Sequence, residues 1–414
     1  MDFEDTPEEA AFRAEVRAFL EKNAERKSEA KSFHRGRYIP EHNIPETVRD
    51  AKQWQAKKAD AGFAGITWPK QWGGRGGTPV QQVIYNQEEQ NYVVPRGVFE
   101  IGLGMCIPVL MVYGTPEHLQ RYVRPAVRGE EIWCQLFSEP SAGSDLAGLR
   151  TRAVRDGDDW VVNGQKIWTS GAHFSDYGIL VTRTDPDVPK HAGLTFFFVD
   201  MKSPGIEVRR IKQISGGSNF NEVFFTDMRV PDSQRLGKIG DGWKVSITTL
   251  MTERLAVGDA PGPDFDDIFA LARTLELDDG PAVRNPAVRE KLADWYVKTQ
   301  GLKYTKFRTM TALSRGETPG PEASITKLVS ASKLQDIASY GIDLLGMAGA
   351  VMDPEVAPMQ AWFQEALLYA PGLRIAGGSD EILRNIIAER VLGLPADIRV
   401  DKDVPFSQLK TGKR

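Results

Sequence analysis

The chain has almost no cysteine. Two thiols in 414 residues, Cys106 and Cys134, cannot staple a fold, and they lack the paired spacing of a metal site. Each lies in an apolar run, where a free thiol packs as a small hydrophobe, and a reducing compartment fits. No stretch is apolar for long enough to span a bilayer. The opening residues, Met1-Asp2-Phe3-Glu4-Asp5, are acidic and start neither a signal nor a transit peptide, so a cytoplasmic protein is expected. A basic excess is also missing. With 52 Lys and Arg against 56 Asp and Glu, the net charge is −4, which argues against a nucleic-acid binder but leaves an anionic small-molecule substrate open. Internal repeats and low-complexity tracts are absent too.

What is present is a soluble-type composition, 41% hydrophobic and 26% charged, on a chain too long for one ordinary core. Two or three domains are expected. Thr6-Pro7-Glu8-Glu9 starts a helix, with Thr6 as cap and Glu9 closing a capping box, and Phe12, Val16, Phe19 and Leu20 give it an apolar stripe. Helical patterning continues to about Gly129, broken at Trp68–Gly77. That Gly-rich stretch lacks the Gly-Lys-Ser/Thr ending of a phosphate loop and reads as a turn.

From about 131 to 235 the period falls to two. Strands are expected at 134–137, 151–154, 160–162, 195–199, 206–211 and 222–225, with a turn at Asp156-Gly157 and a second tight hairpin at Asn163-Gly164. After Gly240-Asp241-Gly242 helical patterning returns. Leu328, Ala331, Leu334, Ile337 and Leu345 share a face, and Gly393 and Pro395 stop the last helix. The expected fold class is α+β and multidomain: an N-terminal helical domain (1–130), a middle β-barrel or sandwich domain (131–240), a C-terminal helical bundle (241–400) and a tail (401–414).

Two segments of the middle domain carry chemistry. The first is Cys134-Gln135-Leu136-Phe137-Ser138-Glu139-Pro140-Ser141-Ala142-Gly143-Ser144-Asp145, a strand that breaks into small residues. Such a loop lets backbone N–H groups approach a flat or anionic ligand. The second, Asn163-Gly164-Gln165-Lys166-Ile167-Trp168-Thr169-Ser170, offers a broad aromatic face beside two hydroxyls. A buried Trp and a plain turn would account for either alone. Together they resemble the signature of the acyl-CoA dehydrogenase family, flavoenzymes that oxidise acyl-CoA thioesters, and the α, β, α order of the chain resembles that family along nearly its whole length.

The resemblance implies FAD as oxidant, since no side chain accepts a hydride. It places Gln135, Phe137 and Ser138 along the flavin from the strand side, and Trp168 and Ser170 from the hairpin side. Ser144 falls where the family meets the flavin and the pantetheine or phosphate region of the substrate. Ile375-Ala376-Gly377-Gly378-Ser379-Asp380-Glu381-Ile382 resembles the family's C-terminal loop, which puts Ser379 and Glu381 against FAD. Ser379 as N-cap, with acids in the first turn, explains the same residues structurally. Glu381 stands where many members have Gln and cannot donate as an amide does.

Many members carry the catalytic Glu in this loop, but the matching residue here is Gly377. Its backbone N–H remains able to hold the thioester oxygen, with the flavin ribityl hydroxyl as second donor. A subset that includes isovaleryl-CoA dehydrogenase carries the Glu on the first long helix of the last domain. Leu250-Met251-Thr252-Glu253-Arg254-Leu255 resembles that arrangement. Glu253 is therefore expected as the base and Arg254 as a substrate-side residue, although a solvated Glu–Arg pair is the usual meaning of such a dipeptide.

Three departures stand out. Gly258–Pro263 interrupts a helix that is usually continuous, pointing to a reshaped pocket for a branched, cyclic or bulky chain, and a second break falls at Asp278–Pro281. The family's Arg-x-x-Phe-Gly segment is not recognisable. In Asp343–Gly349, where the family binds FAD adenine or pyrophosphate across a subunit interface, only the glycines agree, and a helix end at Gly346 accounts for them as well. Arg150, Arg152 and Arg155 either face CoA phosphates or line an exposed rim. The expected activity is FAD-dependent α,β-dehydrogenation of an acyl-CoA. The expected partners are an acyl-CoA and an electron-transfer flavoprotein, in a homodimer or homotetramer, with heteromeric assembly open. The rivals are a non-catalytic partner subunit, a flavin monooxygenase or nitroalkane oxidase on the same fold, and a plain CoA-binding module.

Overall fold

The computed structural model describes residues 5–27, 44–257, 262–315, 320–321, 323–398 and 401–409. By packing, these fall into two compact units that cut across the order of the chain. One holds Val94–Glu253 with residues 44–78 and the C-terminal 401–409. The other holds Arg254–Ala396 with the first helix and Pro79–Val93.

The first unit is built on one eight-stranded sheet: β1 (Trp133–Leu136), β2 (Arg152–Asp156), β3 (Asp159–Lys166), β4 (Tyr177–Arg183), β5 (Leu194–Asp200), β6 (Ile206–Ile211), β7 (Phe220–Pro231) and β8 (Arg235–Leu236). The path runs β8-β5-β4-β2-β3-β7-β6, and β1 pairs with β4 in parallel. The Phe196-Phe197-Phe198 run of β5 shows why it is apolar without alternation. Phe196 and Phe198 join a core with Ile107, Leu110 and Val245 from flanking helices. Phe197 and Val199 join a second core with Trp160, Val162, Val223 and Phe225 from β3 and β7. A strand buried on both faces reads as a continuous hydrophobic run.

The expected hairpin at Asn163-Gly164 is not one. Both residues lie inside β3, where the register against β7 shifts between Val162 and Gly164. The cause is an amide clasp across the strands. Asn163 Nδ2 donates to Asp227 Oδ1 at 3.0 Å and the Asp227 N–H donates back to Asn163 Oδ1 at 3.0 Å, while Asp227 takes φ +47°. A Cβ on Gly164 would lie 2.5 Å from Thr151 Oγ1, so the glycine permits a bulge with close backbone approach, not a turn.

In the other unit, Pro7–Asn23 begins with the expected capping box at Thr6 and Glu9. Arg13 and Arg17 tie this helix to Glu88 of Pro79–Glu89 at 2.9 Å each. The C-terminal helices Phe265–Thr274, Pro286–Ser314, Ala323–Leu345 and Trp362–Ile375 enclose Ile268, Leu271, Trp295, Ile337 and Phe363. The second expected break is present as a two-residue hairpin, Glu276–Leu277 against Gly280–Pro281. Of the first break, 258–261 lie outside the described residues. Gly262 packs so closely on Leu334 that a Cβ would lie 2.3 Å from its Cδ1.

Residues 401–409 are not a free tail. They run along the loop after β4, with the Phe406 N–H bonded to Val188 O at 2.9 Å and the Ser407 N–H to Pro186 O at 2.8 Å.

Candidate active site

In the sheet unit the two singled-out segments meet directly. The Ile167 N–H donates to Ser138 O at 2.8 Å, joining the end of β3 to the end of β1. Beneath this contact lies a buried ion pair: Lys166 Nζ donates to Phe137 O at 2.9 Å and to Glu139 Oε1 at 2.8 Å, and both side chains are almost wholly inaccessible. Glu139 also accepts from the N–H groups of Arg150 (2.6 Å) and Thr151 (2.8 Å), which fixes the far end of the small-residue loop. Burial alone would raise the Glu139 carboxyl, but the charge and hydrogen bond of Lys166, with Thr151 and the Arg150 N–H, outweigh it and hold it below the ordinary range. Sequence reasoning missed this pair, whose only sign was two charged residues inside otherwise small or apolar segments.

Above the pair stands Trp168. Its φ is +60°, the left-handed region that a bulky residue enters at a cost of about 1–3 kcal/mol. The neighbours hold it there. Ile167 is tied to Ser138, the Thr169 N–H donates to Asn221 O at 3.0 Å, and Asn221 Nδ2 donates to Thr169 O at 2.8 Å. The indole is 56% exposed and meets Phe220 edge-on at 6.0 Å. Beside it Thr169 Oγ1 is buried with no hydrogen-bond partner among the described residues. An outlying backbone, a presented aromatic face and an unsatisfied hydroxyl together suit a flat ligand with polar edges, and an isoalloxazine is such a ligand. Asn221, which holds the turn, was not singled out in the sequence.

The remaining expected residues of this unit vary. Gln135, Ser138 and Ser170 are half-buried and Ser144 is exposed. The Phe137 side chain is not presented to a ligand: it is 5% exposed in the core, edge-on to Phe196 at 5.7 Å, so only its backbone can border one. Arg155 lies over Trp160 and pairs with Asp232, which favours the rim reading for it. Glu253 lies on the helix Gly242–Val257, four residues after the buried Thr249. The side chains of Glu253 and Arg254 lie outside the described residues.

In the helical unit, Gly377 (φ +67°) and Gly378 (φ +97°) form a left-handed pair. A side chain at either position would be strained, so the vacancy at Gly377 is conformational as well as chemical. Lys327, itself 1% exposed, donates from Nζ to Gly378 O at 2.6 Å. Ser379 is the N-cap, accepting from the Ile382 N–H at 3.4 Å, and Glu381 is exposed with its carboxyl lowered by its own backbone N–H and by Ser379. Asp343 is exposed at a helix end where Gly346 takes φ +53°. Among the described residues no cluster suits a metal ion, and no helix is long and apolar enough to cross a membrane.

The sheet unit thus presents a clamped aromatic turn suited to a flat ligand, and the helical unit a left-handed diglycine loop. Comparison with known proteins gives the class. Models of the acyl-CoA dehydrogenase N-terminal, middle and C-terminal domains match residues 6–130, 134–228 and 240–392. The chain belongs to the acyl-CoA dehydrogenase family, oxidoreductases whose cofactor is FAD. It is 39% identical to acyl-CoA dehydrogenase FadE34 of Mycobacterium tuberculosis over 85% of this chain and 47% of that one, so it spans about half of that relative. It is 36% identical to acyl-CoA dehydrogenase IpdE1 of the same organism, over 86% of this chain and 90% of that one. Among solved structures, the Tcur3481-Tcur3483 steroid ACAD superposes with a TM-score of 0.79 at 28% identity, covering 96% of this chain and 100% of that one.

Proposed function

We propose that this chain dehydrogenates the α,β bond of an acyl-CoA thioester with a bulky, ring-bearing acyl group. FAD, when bound, supplies the acceptor for the β-hydride. The chain's own residues do the rest. Glu253 removes the α-proton, and the Gly377 N–H donates to the thioester oxygen as enolate charge develops. Trp168, Ser138, Ser170, Ser379 and the backbone at Gln135 and Phe137 border the flavin, with Glu381 at its edge. Ser144 and Arg254 contact the carrier. The observation that carries this reading is the clamped, left-handed Trp168, whose exposed ring stands beside the Thr169 hydroxyl. Electrons leave to an electron-transfer flavoprotein, in the cytoplasm. The ring-bearing acyl group is supported by the steroid ACAD likeness and by the interrupted helix after Glu253.

The test is anaerobic mixing of the purified yellow protein with acyl-CoAs. Glu253→Gln keeps shape and polarity but cannot take the proton, so flavin bleaching is expected to slow by about 10²–10⁴-fold, the weight of a positioned base, with FAD content unchanged. Bleaching at the parent rate would place the base elsewhere.

A second reading, that the chain is one component of a heteromeric dehydrogenase, is favoured by two findings. The chain spans about half of FadE34, and the steroid ACAD carries a two-component name. A colourless protein purified alone, turning yellow only with a second acyl-CoA dehydrogenase-like chain, would support it. A yellow, active homo-oligomer would exclude it.

A further inference from the structure

The family match ends at residue 392, yet the chain goes on to make an organised contact. Residues 401–409 lie against the loop 184–193 between β4 and β5. Besides the backbone bonds of Phe406 and Ser407, Pro405 bridges Pro189, and Asp401 Oδ2 accepts from Lys190 Nζ at 2.7 Å. The same ammonium donates to both oxygens of Asp145 at 3.0 Å. Asp145 directly follows Ser144 in the small-residue loop.

A second linkage runs parallel to the first. The Arg183 guanidinium, 4% exposed, lies 3.6 Å from the centre of the Phe406 ring. It donates from Nε to Leu149 O at 3.1 Å, from Nη2 to Ala147 O at 2.5 Å and from Nη1 to Lys190 O at 3.2 Å. A buried cation needs its charge met by acceptors or an aromatic face, and here carbonyls on one side and Phe406 on the other do both. Two of the three carbonyls it grips, Ala147 O and Leu149 O, belong to the turn Leu146–Gly148 and the residue that caps it, which carries the loop from Asp145 to the N–H groups held by Glu139.

We propose that residues 401–409 are a strap that positions the Ser144–Leu149 loop, with Phe406 and Asp401 acting through Arg183 and Lys190, and thereby sets the affinity for the CoA portion of the substrate. The functional half rests on the reading of Ser144 as a carrier contact. The strap holds two points of the loop from outside the site, so it affects carrier binding equally in the ground and transition states. Its removal is expected in KM and not in kcat.

The test uses the holoenzyme and three variants, Phe406→Ala, Phe406→Tyr and Asp401→Asn, with free coenzyme A as binding probe and amide hydrogen exchange at 146–151 as structural probe. Phe406→Ala should speed exchange at Gly148–Thr151 and weaken coenzyme A binding by about tenfold, within the range of changes made outside a contact itself. FAD content and kcat at saturating acyl-CoA should stay within about twofold. Asp401→Asn should act in the same direction, and Phe406→Tyr, which keeps the ring, should restore both readings. Unchanged exchange in Phe406→Ala overturns the strap. Faster exchange with unchanged coenzyme A affinity overturns its role in binding. A parent protein without affinity for coenzyme A overturns the proposed substrate instead, and the strap then stands or falls on the exchange data.

Discussion

Trp168 allows a sharp test because strain and function pull in opposite directions there. Its ring is 56% exposed, so less than half of its surface, roughly 100 Å² of the ~250 Å² a Trp can bury, is removed from water, worth about 2.5 kcal/mol at most. Replacing it with Ala forfeits that and keeps a side chain at φ +60°. Replacing it with Gly forfeits the same area but releases about 1–2 kcal/mol of left-handed strain, against roughly 0.4–1 kcal/mol of extra unfolded-chain entropy. Trp168→Gly is therefore expected to be more stable than Trp168→Ala by about 0.5–1 kcal/mol, the reverse of the usual order. Both should lose FAD affinity by about two- to tenfold, the scale of one aromatic stacking contact. The assays are urea unfolding of the flavin-free proteins and flavin content after gel filtration. An Ala variant more stable than the Gly variant would refute the strain argument. Full FAD retention in both would refute the stacking role.

The buried pair is expected to be structural and costly to break. Lys166→Met should destabilise the sheet unit by about 3 kcal/mol, at the low end for a severed buried pair because Glu139 keeps its two N–H donors; a loss under about 1 kcal/mol in urea unfolding would show the pair to be dispensable. Lys166→Met combined with Glu139→Gln should be less damaging than the sum of the two changes, since the amide leaves no uncompensated charge. Acid should loosen the Trp160 corner. Asp232 takes hydrogen bonds from Arg235 at 2.9 Å and from the Trp160 indole at 2.7 Å; the Arg235 bond above all, helped by that of Trp160, lowers its pKa from 3.8 to about 2 against the opposing effect of burial. A lowered carboxylate contributes its stability above the unfolded value and loses it as pH falls through the folded one. The Trp160 indole N–H resonance should thus shift between pH 3.8 and about 2, and the shift should be absent in Asp232→Asn.

What could be read from the sequence was local. The capping box at Thr6, the expected strands and the stop at Gly393 depend on residues within one turn or one hairpin, and each appears close to where the pattern put it. The strand Tyr177–Arg183 was missed because, like Leu194–Asp200, it is buried on both faces and shows no alternation. Asn163-Gly164 misled because the same dipeptide serves a hairpin or a bulge, and the choice is made by Asp227 on another strand. The Lys166–Glu139 pair, the Asn221 clamp and the Phe406–Arg183 contact were out of reach for the same reason. Each joins residues far apart in sequence, and no local rule marks a charge that will be buried with its partner. The site itself is where local preference is overridden most openly. A Trp is the wrong residue for φ +60°, and it persists because Ser138 and Asn221 fix the peptides on either side of it. A left-handed pair at Gly377-Gly378 is equally unsuited to the carboxylate that many family members carry at that point. The turn geometry thus disfavours a side chain at Gly377, in keeping with the proposal that the base sits on the helix that bears Glu253.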